Sequence, residues 1–168
     1  LREELGQEAL AVTRQIKDSG MYGLALEKLA LVVPTTMQMA ILAASHKINF
    51  EMSQAEVLAI LATVATPAIQ FQILAEAQQF GNYEDRGKIL IALAKVVSPE
   101  MQGEILATAR LINRGGKQES FFGALAGMAP PTSKEQYKKE VLTTVQMADN
   151  VFFRASVLGV MARIVPAA

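Results

Sequence analysis

The sequence contains no cysteine and a single histidine, His46. The first absence removes disulfides and cysteine-ligated metal sites, while saying little about compartment. The second leaves acid–base chemistry with few participants, and no acid or nucleophile stands at a spacing from His46 that suggests a triad. An excess of either charge is missing too, since 16 Lys and Arg balance 16 Asp and Glu. Without a basic surplus to neutralise phosphates, nonspecific nucleic-acid binding is disfavoured. No apolar run reaches the roughly 18 residues of a membrane span; Pro34, Thr35 and Thr36 interrupt the best candidate. No signal peptide is visible, and the chain begins with Leu1, so a processed or excised segment of a longer protein is expected. A cytoplasmic location is favoured.

What the chain does contain is repetition. Leu29-Ala30 returns as Leu61-Ala62, Leu93-Ala94 and Leu125-Ala126 at steps of 32 residues, and as Met161-Ala162 after a step of 36. A proline follows each pair: Pro34, Pro67, Pro99, Pro130 and Pro166. Three residues upstream stand Leu26, Leu58, Leu90, Phe122 and Leu158. Downstream, Ile41-Leu42 recurs as Ile73-Leu74, Ile105-Leu106 and Val141-Leu142. A shared period of this length marks a repeat architecture. The four extra residues of the last step fit best between Pro130 and Gln136.

Within each period the apolar spacing predicts two helices. They fall near 2–17, 21–33, 35–47, 52–65, 68–80, 84–97, 100–112, 118–129, 133–148 and 151–165, ten in all. Proline both ends a first helix and suits the opening turn of the second, because it lacks the donor and disfavours helix at the residue before it. The expected inner faces are Leu5, Ala9, Val12 and Ile16; then Leu26, Leu29, Ala30 and Val33; then Met37, Ile41, Leu42 and Ser45. Asn49 or Ser53 is the expected cap of the helix near 52–65. By column, residues 2–17 match a second helix, so the ten helices form five pairs counted second helix first.

Such short helices are marginal alone. Each carries apolar residues on more than one face, with Ala25, Val57, Ile89, Phe121 and Val157 adding a column beside the leucines. Stacking supplies the neighbour that the second face needs. The fold class expected is all-α: an α-solenoid of about five stacked helix pairs, one helical-repeat domain over residues 1–168. The alternation of L-x-x-L-A-x-x-x-P with I-L-x-x-A-x-x-I resembles α-solenoid proteins of the broad HEAT and tetratricopeptide class. The unit is shorter than is usual for HEAT repeats and lacks the Trp, Gly and Tyr positions of a tetratricopeptide unit. What the resemblance implies is a protein-interaction surface, by analogy of fold.

Other patterns carry less. Gly81 to Lys88 superficially resembles a P-loop, yet five residues separate the glycines and Ile89 stands where Ser or Thr should bind magnesium. A turn and the next helix start explain it, and a turn explains Gly115-Gly116-Lys117. The adjacent pair Glu84-Asp85 reads as solvated helix-start charge. No metal, cofactor or catalytic residue is assigned, and an enzyme is not expected. Gln38, Gln70 and Gln102 recur at 32 residues, with Lys138 in the fourth unit. Their amides are expected to bridge units or to cap loop carbonyls.

In a stacked array the residues that choose a partner are those that vary along a row. On the second helices one row is His46, Gln78, Arg110 and Gln146, beside Lys47, Gln79, Leu111 and Met147. On the first helices Leu31, Thr63, Lys95, Gly127 and Arg163 vary. His46, Gln78, Arg110, Gln146, Lys95 and Arg163 are therefore the candidate partner surface, and a protein is the expected partner. Two rival readings remain. One is a nucleic-acid-binding array using a local basic stripe from Arg110, Arg114, Lys117, Lys134, Lys138 and Lys139. The other is a homo-oligomer through array ends, where Val157, Val160 and Ile164 would lack a following helix.

Overall fold

Proline sets the turn inside each helix pair. Helix α2 (Ser19–Val32) runs out at Val33, which is extended at φ −70°, ψ 146°. Pro34 continues that extended path into a 3-10 turn, Thr35–Met37, before α3 (Gln38–Ser45). One period later α4 (Glu51–Val64) gives way to extended Ala65 and Thr66, and Pro67 is the first residue of α5 (Pro67–Ala77). The residue before each proline is thus held out of the helical region, as its ring requires. Helix α6 (Tyr83–Ala94) follows, and α7 (Pro99–Arg110) again opens on proline. A further helix, α1 (Arg2–Thr13), precedes these. The computed structural model describes residues 2–110 together with Lys139 and Leu142. Over these residues the chain is all-helical. Expectations for residues 111–138, 140–141 and 143–168, including the 36-residue step, lie outside the described residues. The chain divides into two compact units, Leu1–Val97 and Ser98–Ala168. Among the described residues no helix is long and apolar enough to cross a membrane.

In the first unit the first helices lie side by side: α4 packs between α2 and α6. Helix α3 seats on α2 and α4, and α5 on α4 and α6. The repeated columns make this core. Leu26, Leu58 and Leu90 are each 0% exposed, worth about 1.5–3 kcal/mol apiece. Met37, Ile41, Leu42 and Ser45 are all buried as their spacing predicts, whereas Leu29 and Val33 are only half-buried. Gly23 permits the close approach of α2 and α4, since a Cβ there would stand 3.2 Å from Ser53 Cβ.

Helix α1 departs from the expected face and length. It stops at Thr13, and the chain continues to Ile16 in turns closed by Gln15 N–H to Val12 O and Ile16 N–H to Thr13 O. The buried residues are Leu10 and Thr13, while Leu5 and Val12 are 56% and 58% exposed. Gly6 is the cause. A Cβ there would lie 2.5 Å from Met37 Sδ, so the glycine side of α1 is the one that meets the 3-10 turn. Leu10 and Thr13 match Leu42 and Ser45 one period on. Leu5 and Val12 match Met37 and Ala44, which are buried.

Two helix starts, those of α2 and α6, are capped by side chains. Asp18 Oδ1 accepts from Met21 N–H at 2.8 Å, and Asn82 Oδ1 accepts from Glu84 N–H at 2.8 Å. Neither Asn49 nor Ser53 caps α4; Phe50 holds that position without a side-chain bond. Asn49 is instead drawn back to the previous unit, its N–H donating to Ser19 Oγ at 3.2 Å. Asp85 is not solvated. It is 3% exposed, 3.5 Å from Lys88 Nζ, which also stands 3.7 Å from Glu56 Oε1 and so ties α6 to α4.

The glutamines clasp the turns. Gln38 is 2% exposed, and its Nε2 donates to Val64 O at 2.7 Å while its Oε1 accepts from Thr66 N–H at 3.1 Å. One side chain thereby satisfies a carbonyl that α4 leaves open at its end and the N–H of Thr66, the N-cap of α5. Gln70 Nε2 donates to Ala62 O at 3.2 Å, within its own helix pair. The side chains of Gln102 and Lys138 lie outside the described residues.

Candidate functional site

The turn after each second helix brings that helix's last residues against the start of the next first helix. Between them the first unit opens two clefts at equivalent places in the repeat. The second has a volume of about 230 Å³ and is lined by His46, Glu51, Gln54, Glu76, Gln79 and Phe80. The first, of about 120 Å³, is lined by Arg14, Lys17, Ser19, Tyr22 and Lys47, with Ile16 and Asn49. Subtracting 32 from His46, Glu51, Gln54 and Gln79 gives Arg14, Ser19, Tyr22 and Lys47. The clefts are the same feature one period apart, with different side chains.

Their chemistry is opposite in sign. In the second cleft His46, at the C-cap of α3, shares a 2.7 Å hydrogen bond with Glu76 Oε1 from α5. Glu76 Oε2 is buried and has no hydrogen-bond partner among the described residues. Glu51 Oε2 accepts from Asn82 N–H at 3.2 Å, which ties the start of α4 to the turn before α6. Phe80 is the buried apolar wall, and Gln54 and Gln79 add amides. These groups offer negative charge and hydrogen bonds. In the first cleft Arg14, Lys17 and Lys47 are exposed, and none has an ion-pair partner among the described residues. Tyr22 forms the wall, its hydroxyl donating to Ala44 O at 3.1 Å. Burial pushes the Tyr22 phenol above its usual range, and the nearby Arg14 charge partly offsets this. Among the described residues no group of three or more His, Cys, Asp or Glu is arranged to hold a metal.

The second cleft takes one residue from each row proposed for the second helices, His46 from one and Gln79 from the other. The first cleft takes Lys47 alone from those rows, and its Arg14 stands one period before His46. Gln78 is exposed at the C-cap of α5 but does not line the cleft that Gln79 lines. Arg110 ends α7, and its side chain lies outside the described residues, as do Gln146 and Arg163. Lys95 is exposed at the C-cap of α6, away from both clefts. It sits beside Val96 as Thr63 sits beside Val64 and Leu31 beside Val32, three valines 42%, 39% and 74% exposed. The sequence rows began at His46 and so left out Arg14. Glu51, Gln54 and Glu76 were also missed. The 32-residue lag was signal enough for Arg14, whereas Glu76 carries no period of its own.

Comparison of the chain with protein families, with curated proteins and with solved structures finds no match.

Proposed function

We propose that the chain is a protein-binding scaffold: an α-solenoid of about five stacked helix pairs, of the broad HEAT-like and tetratricopeptide-like class, that recognises a partner along an extended surface. The observation that carries this reading is the recurrence of one cleft in consecutive units with its lining changed from basic to acidic. A constant framework holding variable side chains discriminates between partners, because each unit adds a separate contact and mismatched charges are rejected. The mechanism is recognition at several points, without bond-making chemistry.

Panning a random peptide library tests it. The wild-type protein is expected to enrich a common peptide pattern. A Lys47→Glu, Gln79→Arg double variant with unchanged urea unfolding is expected to lose those peptides. No enrichment by the wild type, or equal retention by the variant, rejects the reading.

A second reading, self-association, is favoured by the bare face of α1, where Leu5 and Val12 are 56% and 58% exposed. Light scattering at high concentration distinguishes it: a mass that rises with concentration and falls with Leu5→Asp supports association, and a constant monomer mass removes it.

A further inference from the structure

We propose that the two clefts act as a pair that binds an extended protein segment carrying one carboxylate and one cationic side chain three residues apart. The inference rests on the scaffold reading and specifies the ligand that the described units would take. The first cleft supplies Arg14, Lys17 and Lys47 with no carboxylate in its lining. The second supplies Glu51 and Glu76, with His46 as its only basic group. Glu76 Oε2 is left without a donor. The partly exposed Glu76 carboxylate and exposed Glu51 favour a cation, and a guanidinium or ammonium entering beside His46 would meet that demand. No such demand arises in the first cleft, whose cations would instead take a carboxylate.

Spacing selects the form of the segment. The clefts stand at the starts of α2 and α4, which pack directly on one another. Packed helices lie about 8–10 Å apart. A polyproline II segment rises about 3.1 Å per residue with three residues per turn. Side chains at i and i+3 therefore share a face and stand about 9 Å apart. A β-strand matches less well: its same-face spacings are about 7 Å and about 13 Å.

Fluorescence polarisation with labelled synthetic peptides on a proline-rich backbone tests this in the full 168-residue chain. The set contains Glu-x-x-Arg, Glu-x-x-Glu, Arg-x-x-Arg and a version with the unlike charges adjacent. The Glu-x-x-Arg peptide is expected to bind at least about tenfold more tightly than any other, and to weaken as salt is raised. Lys47→Glu should reduce its affinity about tenfold and narrow the gap between it and Arg-x-x-Arg. Unchanged urea unfolding of that variant shows that the fold is kept. Equal binding of the four peptides overturns the charge pair, as does uniform weakening by Lys47→Glu. Tighter binding of a labelled RNA oligomer than of any peptide overturns it as well. If library panning yields peptides without the charge pair, this inference falls and the scaffold reading stands; if it yields none, both fall.

Discussion

Replacing Gln38 by Ala should loosen the joint between two units at one identifiable point. The amide holds Val64 O at 2.7 Å and Thr66 N–H at 3.1 Å from a side chain only 2% exposed. Pro67 has no N–H with which to reach back into the turn. Each bond contributes about 1 kcal/mol net, and a buried group left without a partner costs about 1–3 kcal/mol. The turn is partly buried, so water repays some of this, and a total of about 2–4 kcal/mol is expected. Gln70→Ala removes a single bond of 3.2 Å, and should cost about 1–2 kcal/mol. Urea unfolding measures both through the midpoint. Amide exchange adds a local readout, because the Thr66 amide should lose protection in Gln38→Ala and keep it in Gln70→Ala. Gln38→Met restores volume without either bond and should behave like Ala. A Gln38→Ala variant within about 0.5 kcal/mol of wild type, with Thr66 still protected, would refute the clasp.

Three further outcomes follow from other contacts. Gly23→Val should cost about 1–3 kcal/mol in urea unfolding, because its Cβ would already meet Ser53 Cβ at 3.2 Å and branching drives α2 from α4. Tyr22→Phe should cost about 1 kcal/mol by losing the hydroxyl bond to Ala44 O at 3.1 Å; an unchanged midpoint would show that water replaces it. Burial, with the nearby Glu56 charge, raises the Glu27 carboxyl above 4.5, partly offset by Lys28. A raised folded-state value means stability that is present in full below the unfolded-chain value and lost as pH rises through the raised folded one. Glu27→Gln should therefore melt higher than wild type at pH 7 and equal to it near pH 4.

How far the sequence foretells this structure depends on whether a residue's role repeats. Leu26, Leu58 and Leu90 share one column and one buried place, and a column is visible in a sequence. Gln38 and Gln70 were legible for the same reason, although Gln38 reaches into the next unit and Gln70 stays in its own. Helix α1 was misread because two stripes of apolar residues compete on it, and Gly6 decides between them through a contact with Met37 that spacing does not reveal. Asp85 was misread for a related reason. Its column also holds Met21 and Ser53, so its burial beside Lys88 is a property of one unit. Glu76 became part of a site only through His46, 30 residues away on another helix.

The same division between shared and private residues bears on function. A side chain that stacks helices must answer to the neighbour on each side, so its column resists change: Ala30, Ala62 and Ala94 are all buried alanines. A side chain at the rim of a cleft answers only to what enters it. His46 replaces Arg14, and Gln79 replaces Lys47, while the buried aromatic wall comes from different positions, Phe80 in one cleft and Tyr22, at the place of Gln54, in the other. Charge can thus reverse between neighbouring clefts without disturbing the stack. A chain with 16 positive and 16 negative side chains need not be electrically featureless. On the scaffold reading proposed above, charges placed in register would give each repeat its own preference, and a ligand that satisfied two repeats would gain from both contacts while ordering its backbone once.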